Sequence, residues 1–173
     1  YKLATGVLLD LKKHDLAAIL APHQFGAMLS CGAEQATLIA RTLAANAVPE
    51  QMVFFATDLK NAFGNVPRMY VLKAVAEFCP TWLPALLSSW QVNGTSLWVP
   101  VGLGESHTFD VVDGVFQGEC LSSALFCLVL KLIIRDFYRA LAASGVSIAD
   151  AKNTQVIAYI DDCLLAVPKH HAV

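Results

Sequence analysis

Val156-Ile157-Ala158-Tyr159-Ile160-Asp161-Asp162-Cys163-Leu164-Leu165-Ala166-Val167 is the stretch on which the fold turns. Apolar runs flank two adjacent carboxylates, a pattern that reads as two strands meeting at Asp161-Asp162. Hairpin turns favour Asn-Gly or Asp-Gly, and a second acid beside the first adds only repulsion. One reading is a solvated acidic turn. The other is a pair of carboxylates whose repulsion a divalent cation relieves. Magnesium is held by oxygen ligands, commonly one or two carboxylates together with substrate phosphates. Strand alternation predicts Tyr159 and Asp161 on one side of the hairpin.

Moving outward, a second short apolar run, Met52 to Asp58, reads as a buried strand that ends on a carboxylate. Asp58 is either a turn or helix N-cap residue or, because an unpaired charge at a buried strand end is costly, an ion ligand. Between these two segments lies Gly114-Val115-Phe116-Gln117-Gly118-Glu119-Cys120-Leu121-Ser122-Ser123, which leads into a long apolar helix, Leu121 to Ala143. Glycine admits a close ligand and a helix start favours an anion; a plain loop before a helix is the other reading.

The remaining elements follow from periodicity and breakers. Helices are expected over Leu3–Leu20, ended by Pro22, and Ala33–Ala47, closed by Pro49. Two more are expected from Pro67 to Phe78 and from Pro84 to Gln91. Gln24 to Gly32 reads as a loop. Ser96–Val101 and His107–Val112 form a hairpin around Gly102 and Gly104. Gly145 suits the left-handed residue after a helix. One domain accounts for the 173 residues.

Composition narrows the function classes. Hydrophobic residues make up 56% and charged residues 15%. That is apolar-rich for a soluble domain, which fits a large helical core or a surface that another segment covers. The longest apolar stretch, Leu121 to Ile134, is broken by Lys131 and falls short of the about 18–20 residues a membrane span needs. A net charge of −2 speaks mildly against a nucleic-acid binder, although an acidic catalytic cluster would itself lower the charge. The five cysteines form no C-x-x-C pair, so neither a zinc site nor a disulfide framework is expected. His170-His171 reads as a frayed, solvated terminus.

Taken in order, the three segments resemble the reverse transcriptases. Thr57-Asp58-Leu59-Lys60-Asn61-Ala62-Phe63-Gly64-Asn65-Val66 looks like the first palm motif, Gly114-Val115-Phe116-Gln117-Gly118 with Leu121-Ser122 like the second, and Tyr159-Ile160-Asp161-Asp162 like the third. Gln24-Phe25-Gly26 with Gly32-Ala33-Glu34 and Arg41 is similar to the fingers segment of retrotransposons lacking long terminal repeats. The resemblance implies an α+β fold: an antiparallel polymerase palm backed by helices (51–173, incomplete at its C-terminus) with part of a helical fingers region (1–50) and no thumb.

It also implies RNA-templated DNA synthesis from deoxynucleoside triphosphates on a primer 3′-hydroxyl. Asp58, Asp161 and Asp162 would be catalytic, holding two Mg2+ ions (or Mn2+) with the carbonyl of Leu59. Phe63, Gln117 and Gly118 would line the nucleotide pocket, with Phe63 excluding a 2′-hydroxyl, and Tyr159 would touch primer or template. Lys60, Arg68 and Lys73 read as solvated helix charges rather than backbone contacts. The competing readings are an RNA-dependent RNA polymerase palm and a non-catalytic remnant that only binds a partner. The chain departs from the pattern at Glu119-Cys120 and Ser122-Ser123, where the family often has prolines, and at Ala27-Met28-Leu29, where it often has a basic residue. The later palm lysine, primer grip and thumb are expected beyond Val173, which makes this segment alone weakly active or inactive. The expected partners are a primer-template, nucleotides and that thumb, with no membrane. The expected location is intracellular, and nuclear for a eukaryotic retrotransposon.

Overall fold

The computed structural model describes residues 2–27, 30–47, 51–90, 95–102 and 105–171. Met28, Leu29, Pro49, Gln91 and Gly104, on which parts of the expectations above rest, lie outside them. Seven helices and five strands are found among the described residues. They are α1 (Lys2–Leu20), α2 (Gly32–Asn46), β1 (Met52–Thr57), α3 (Ala62–Asn65), α4 (Arg68–Phe78), α5 (Leu83–Ser89), β2 (Thr95–Gly102), β3 (Glu105–Val111), α6 (Ser122–Ala143), α7 (Ile148–Asn153), β4 (Gln155–Tyr159) and β5 (Asp162–Pro168). Short 3-10 turns cover Pro80–Trp82 and Lys169–His171.

β1, β5 and β4 form an antiparallel sheet in that order, and β2 pairs with β3 in a separate hairpin. The fold is the expected α+β arrangement of an antiparallel sheet backed by helices. The axis of the core is α6. Its residues from Ala124 to Leu130 are all buried, which explains why the sequence there is apolar on every face rather than in one stripe. α1 and α4 pack against α6, and Leu16, Leu20, Val71, Val75, Trp82 and Leu86 close around Leu121, Leu125 and Leu128. α2 lies against β4. No described helix is long and apolar enough to cross a membrane.

Several elements depart from expectation. β1 stops at Thr57, so Asp58 is the first residue past the strand. α3 is a single turn that follows left-handed Asn61 (φ 51°). α7 was not anticipated, although Ser147-x-x-Asp150 is a capping signature: the Asp150 N–H donates to Ser147 Oγ at 3.1 Å. Lys169 and His170 are tied down rather than frayed, although His170 is solvent-exposed as expected. The Lys169 N–H donates to the Gln51 carbonyl at 2.7 Å, and His170 Nε2 lies 3.2 Å from the Asp150 carboxylate.

Candidate active site

β1 and β5 run antiparallel with Met52 opposite Pro168 and Thr57 opposite Cys163. One step beyond that last pair, the same register sets Asp58 across from Asp162. The Thr57 hydroxyl donates to the Cys163 carbonyl at 3.4 Å, which fastens the strand end that carries Asp58. β4 and β5 are joined at Ile160-Asp161, with Tyr159 opposite Asp162. Two carboxylates more than a hundred residues apart in sequence thus meet at one end of the sheet because β1 pairs directly with β5. Asp58, Asp162 and Tyr159 line one cleft of about 370 Å3, roofed by Ala36, Thr37 and Ala40 of α2.

Asp161 does not share that cleft lining. Ile160 has φ 56°, a left-handed conformation uncommon for a β-branched residue, and it breaks the strand alternation at this point. The expectation that Tyr159 and Asp161 share a side assumes extended backbone through Ile160, which φ 56° does not provide; the residue that pairs with Tyr159 across the hairpin is Asp162. Asp161 lies close enough to α6 to act on Cys127. Burial first, and then the Asp161 and Cys163 charges, push that thiol up to about 12. Burial likewise raises the Cys163 thiol, opposed by a hydrogen bond from Thr57 and aided by Asp162 and Asp161.

Magnesium is the metal that the donor set suits, since carboxylate oxygens and a neighbouring backbone carbonyl are hard ligands and substrate phosphates can complete the shell. Among the described residues, no group of three or more His, Cys, Asp or Glu side chains is arranged to hold a metal ion by itself. The carboxylates that fit are Asp58 and Asp162 on the cleft, with Asp161 at the adjoining turn. Leu59 follows Asp58 directly and lines a neighbouring apolar groove with Val66, Tyr70 and Ile133.

The Gln117 loop is fixed from below. The Gly114 N–H donates to the Val66 carbonyl and the Val115 N–H to the Phe63 carbonyl, each at 2.8 Å. Gly114 has φ +84°, and a Cβ there would meet the Gly64 carbonyl oxygen at 2.6 Å. The glycine of the second motif is thus required by contact with the first. Phe63 stacks on Phe126 of α6, with centroids 5.2 Å apart and planes 16° from parallel, so its ring is held in place while part of it stays accessible. Gln117 and Gly118 are exposed, and no atom lies within 4 Å of a Cβ built on Gly118.

Two residues of this region were misjudged from sequence. Arg68 is not a solvated helix charge: it is 7% exposed. Its Nε donates to the Gly114 carbonyl at 3.2 Å, its N–H donates to the Asp113 carboxylate at 3.3 Å, and its guanidinium lies 4.9 Å from the Trp90 ring centroid. The signal was present, because Arg68 falls in helical register with buried Val71 and Val75. Gln24, read as a loop residue, is fully buried and bonded to the backbone of Ile160. Lys60 and Lys73 are exposed as expected.

The profile of the reverse transcriptase (RNA-dependent DNA polymerase) family matches residues 1–173. The chain belongs to the reverse transcriptase family. No curated protein gives a significant match. Among solved structures, the chain is similar to apo telomerase from Candida tropicalis truncated from its C-terminal domain (TM-score 0.67, 13% identity), over 96% of this chain and 34% of that one. It is also similar to telomerase from Candida albicans in complex with the TWJ fragment of telomeric RNA (TM-score 0.53, 14% identity), over 92% of this chain and 30% of that one. At these identities the likeness is one of fold. This reverse transcriptase domain spans about a third of the length of either telomerase chain.

Proposed function

We propose that this chain forms the catalytic palm, with part of the fingers, of an enzyme that copies RNA into DNA. A primer 3′-oxygen would bond to the α-phosphorus of a deoxynucleoside triphosphate as the bond to pyrophosphate breaks. The observation that supports the reading is the β1–β5 register, which ends one residue before Asp58 and one after Asp162, two carboxylates that line one cleft. Asp58, Asp161 and Asp162, with the Leu59 carbonyl, would hold two Mg2+ ions, for which Mn2+ could substitute. When bound, such an ion pair lowers the pKa of the attacking hydroxyl and neutralises charge on the triphosphate.

The chain's own groups then account for positioning. Phe63, immobilised on Phe126, would sit beneath the incoming sugar and leave no room for a 2′-hydroxyl. Gln117 and Gly118, exposed on a loop tied to the Phe63 and Val66 carbonyls, would line the nucleotide pocket. Tyr159, at the cleft margin, would contact primer or template. The Gln24-Phe25-Gly26 segment favours an origin in a retrotransposon lacking long terminal repeats. Thumb and primer-grip segments of the complete protein would hold the primer-template, and a nuclear location follows for a eukaryotic element.

The test is primer extension on an RNA template by the complete protein, with deoxy- and ribonucleotides compared. Deoxynucleotide incorporation that Asp58→Asn and Asp161→Asn each abolish is expected. Preferential ribonucleotide use would favour an RNA polymerase. Absent incorporation would favour a binding remnant, and incorporation without a divalent metal would refute the two-ion reading.

A further inference from the structure

Gln24 makes a set of contacts that neither packing nor loop structure requires. Its side chain is fully buried. Its Nε2 donates to the Ile160 carbonyl at 3.0 Å, while its Oε1 accepts from the Ile160 N–H at 2.9 Å and from the Gly26 N–H at 2.8 Å. One side-chain amide therefore satisfies both backbone groups of Ile160. A side-chain amide carries one acceptor oxygen and two N–H donors, and only one orientation of Gln24 meets all three contacts.

The flanking backbone is stitched to β4 as well. The Phe25 N–H donates to the Ala158 carbonyl at 2.8 Å, and the Ala158 N–H to the His23 carbonyl at 2.7 Å. The partner of Gln24 is the left-handed residue between Tyr159 and Asp161. A lone non-glycine residue in that conformation persists when its surroundings over-determine it, and here Gln24 supplies the fixing bonds. Gly26 completes the fit, because a Cβ on it would lie 2.6 Å from the Ile160 nitrogen.

We infer that Gln24 is a positioning residue of the polymerase site. It holds Ile160 in the left-handed conformation at which the chain leaves β4 and turns into Asp161-Asp162, so the fingers segment sets the geometry of the carboxylate turn. The inference rests on the polymerase reading above for its effect on turnover, and on the hydrogen bonds alone for its effect on the turn. It names no contact between Gln24 and substrate.

The test compares the complete protein with Gln24→Met, which keeps shape and removes all three bonds, and Gln24→Glu, which keeps the two acceptor contacts. Asp161→Asn is the control that establishes the polymerase reading independently. Three quantities are read: steady-state extension kinetics, the thermal midpoint, and amide hydrogen exchange at Gly26 and Ile160. For Gln24→Met, kcat should fall about 10- to 100-fold, the penalty of a slightly misplaced reacting group, with primer-template KM retained. Exchange should accelerate at Gly26 and Ile160 while α6 amides stay protected, and Gln24→Glu, whose ionised carboxylate would set an acceptor against the Ile160 carbonyl, should lose at least as much kcat as Gln24→Met. An unchanged kcat overturns the inference. So does a loss that follows the thermal midpoint and is accompanied by faster exchange throughout α6. If the parent does not extend primers, the polymerase reading fails and the exchange arm decides the tether: selective loss of Ile160 protection in Gln24→Met supports it, and equal exchange in parent and variant refutes it.

Discussion

Gly114→Ala should be far more damaging than Gly118→Ala, although both glycines have nearly the same backbone conformation, φ +84° and +83°. The conformational penalty for alanine in the left-handed region is common to both and amounts to about 1–2 kcal/mol. At Gly118 nothing lies within 4 Å of the new Cβ, so that penalty is the whole effect. At Gly114 the Cβ would also meet Gly64 O at 2.6 Å and Phe63 O at 3.0 Å. Those are rigid backbone atoms, so the loop must lift, stretching its bonds to Val66 and Phe63. Overpacking of this kind adds about 1–3 kcal/mol. With a urea m-value of about 2 kcal/mol/M, the midpoint should fall by about 1–2.5 M for Gly114→Ala and by about 0.5–1 M for Gly118→Ala. Urea unfolding followed by circular dichroism measures both. Equal midpoints at equal m would show that the two motif segments do not touch as described.

Three further outcomes are expected. Arg68→Met, which keeps a chain to lie on Trp90 but cannot donate to Gly114, should destabilise by about 1.5–3 kcal/mol, as loss of a charged hydrogen bond does, whereas exposed Lys73→Ala should change stability by less than about 0.5 kcal/mol; urea midpoints distinguish them. Burial holds His23 below its ordinary value of 6.5, so the unfolded chain binds the proton more readily. The His23 contribution to stability is then full above pH 6.5 and lost as pH falls through the lower folded value, and His23→Gln should flatten that acid limb. Cys127, pushed up to about 12 from 9.0, contributes stability that is present below pH 9 and lost as pH rises through the folded value. At neutral pH a maleimide should modify exposed Cys31 and Cys120 and spare Cys127, as mass spectrometry of the labelled peptides will show.

Much of the fold was legible because its signals are local. Pro22 and the apolar run of α6 mark helices that the structure places within a residue or two of expectation. The acidic hairpin likewise joins β4 to β5 where the two apolar runs meet. The order of the three motifs was enough to place the chain in its family. What sequence could not supply was the long-range partner of each polar side chain. Gln24 gives no periodic or turn signal, and its role exists only through Ile160, far away in the chain. Arg68 carried a helical-register signal that its charge outweighed. Alternation could not fix the side of Asp161, because it assumes extended backbone and Ile160 is left-handed.

The polymerase reading proposed above requires that the pairing of β1 with β5 make Asp58 and the Asp161-Asp162 turn one cation site. Calorimetric titration of Mn2+ into the parent, Asp58→Asn, Asp161→Asn and the double variant tests it most directly. Each single substitution should weaken binding, and the double variant should lose little more, since either carboxylate alone cannot hold the ion pair. Mn2+ binding that survives Asp58→Asn undiminished would contradict it.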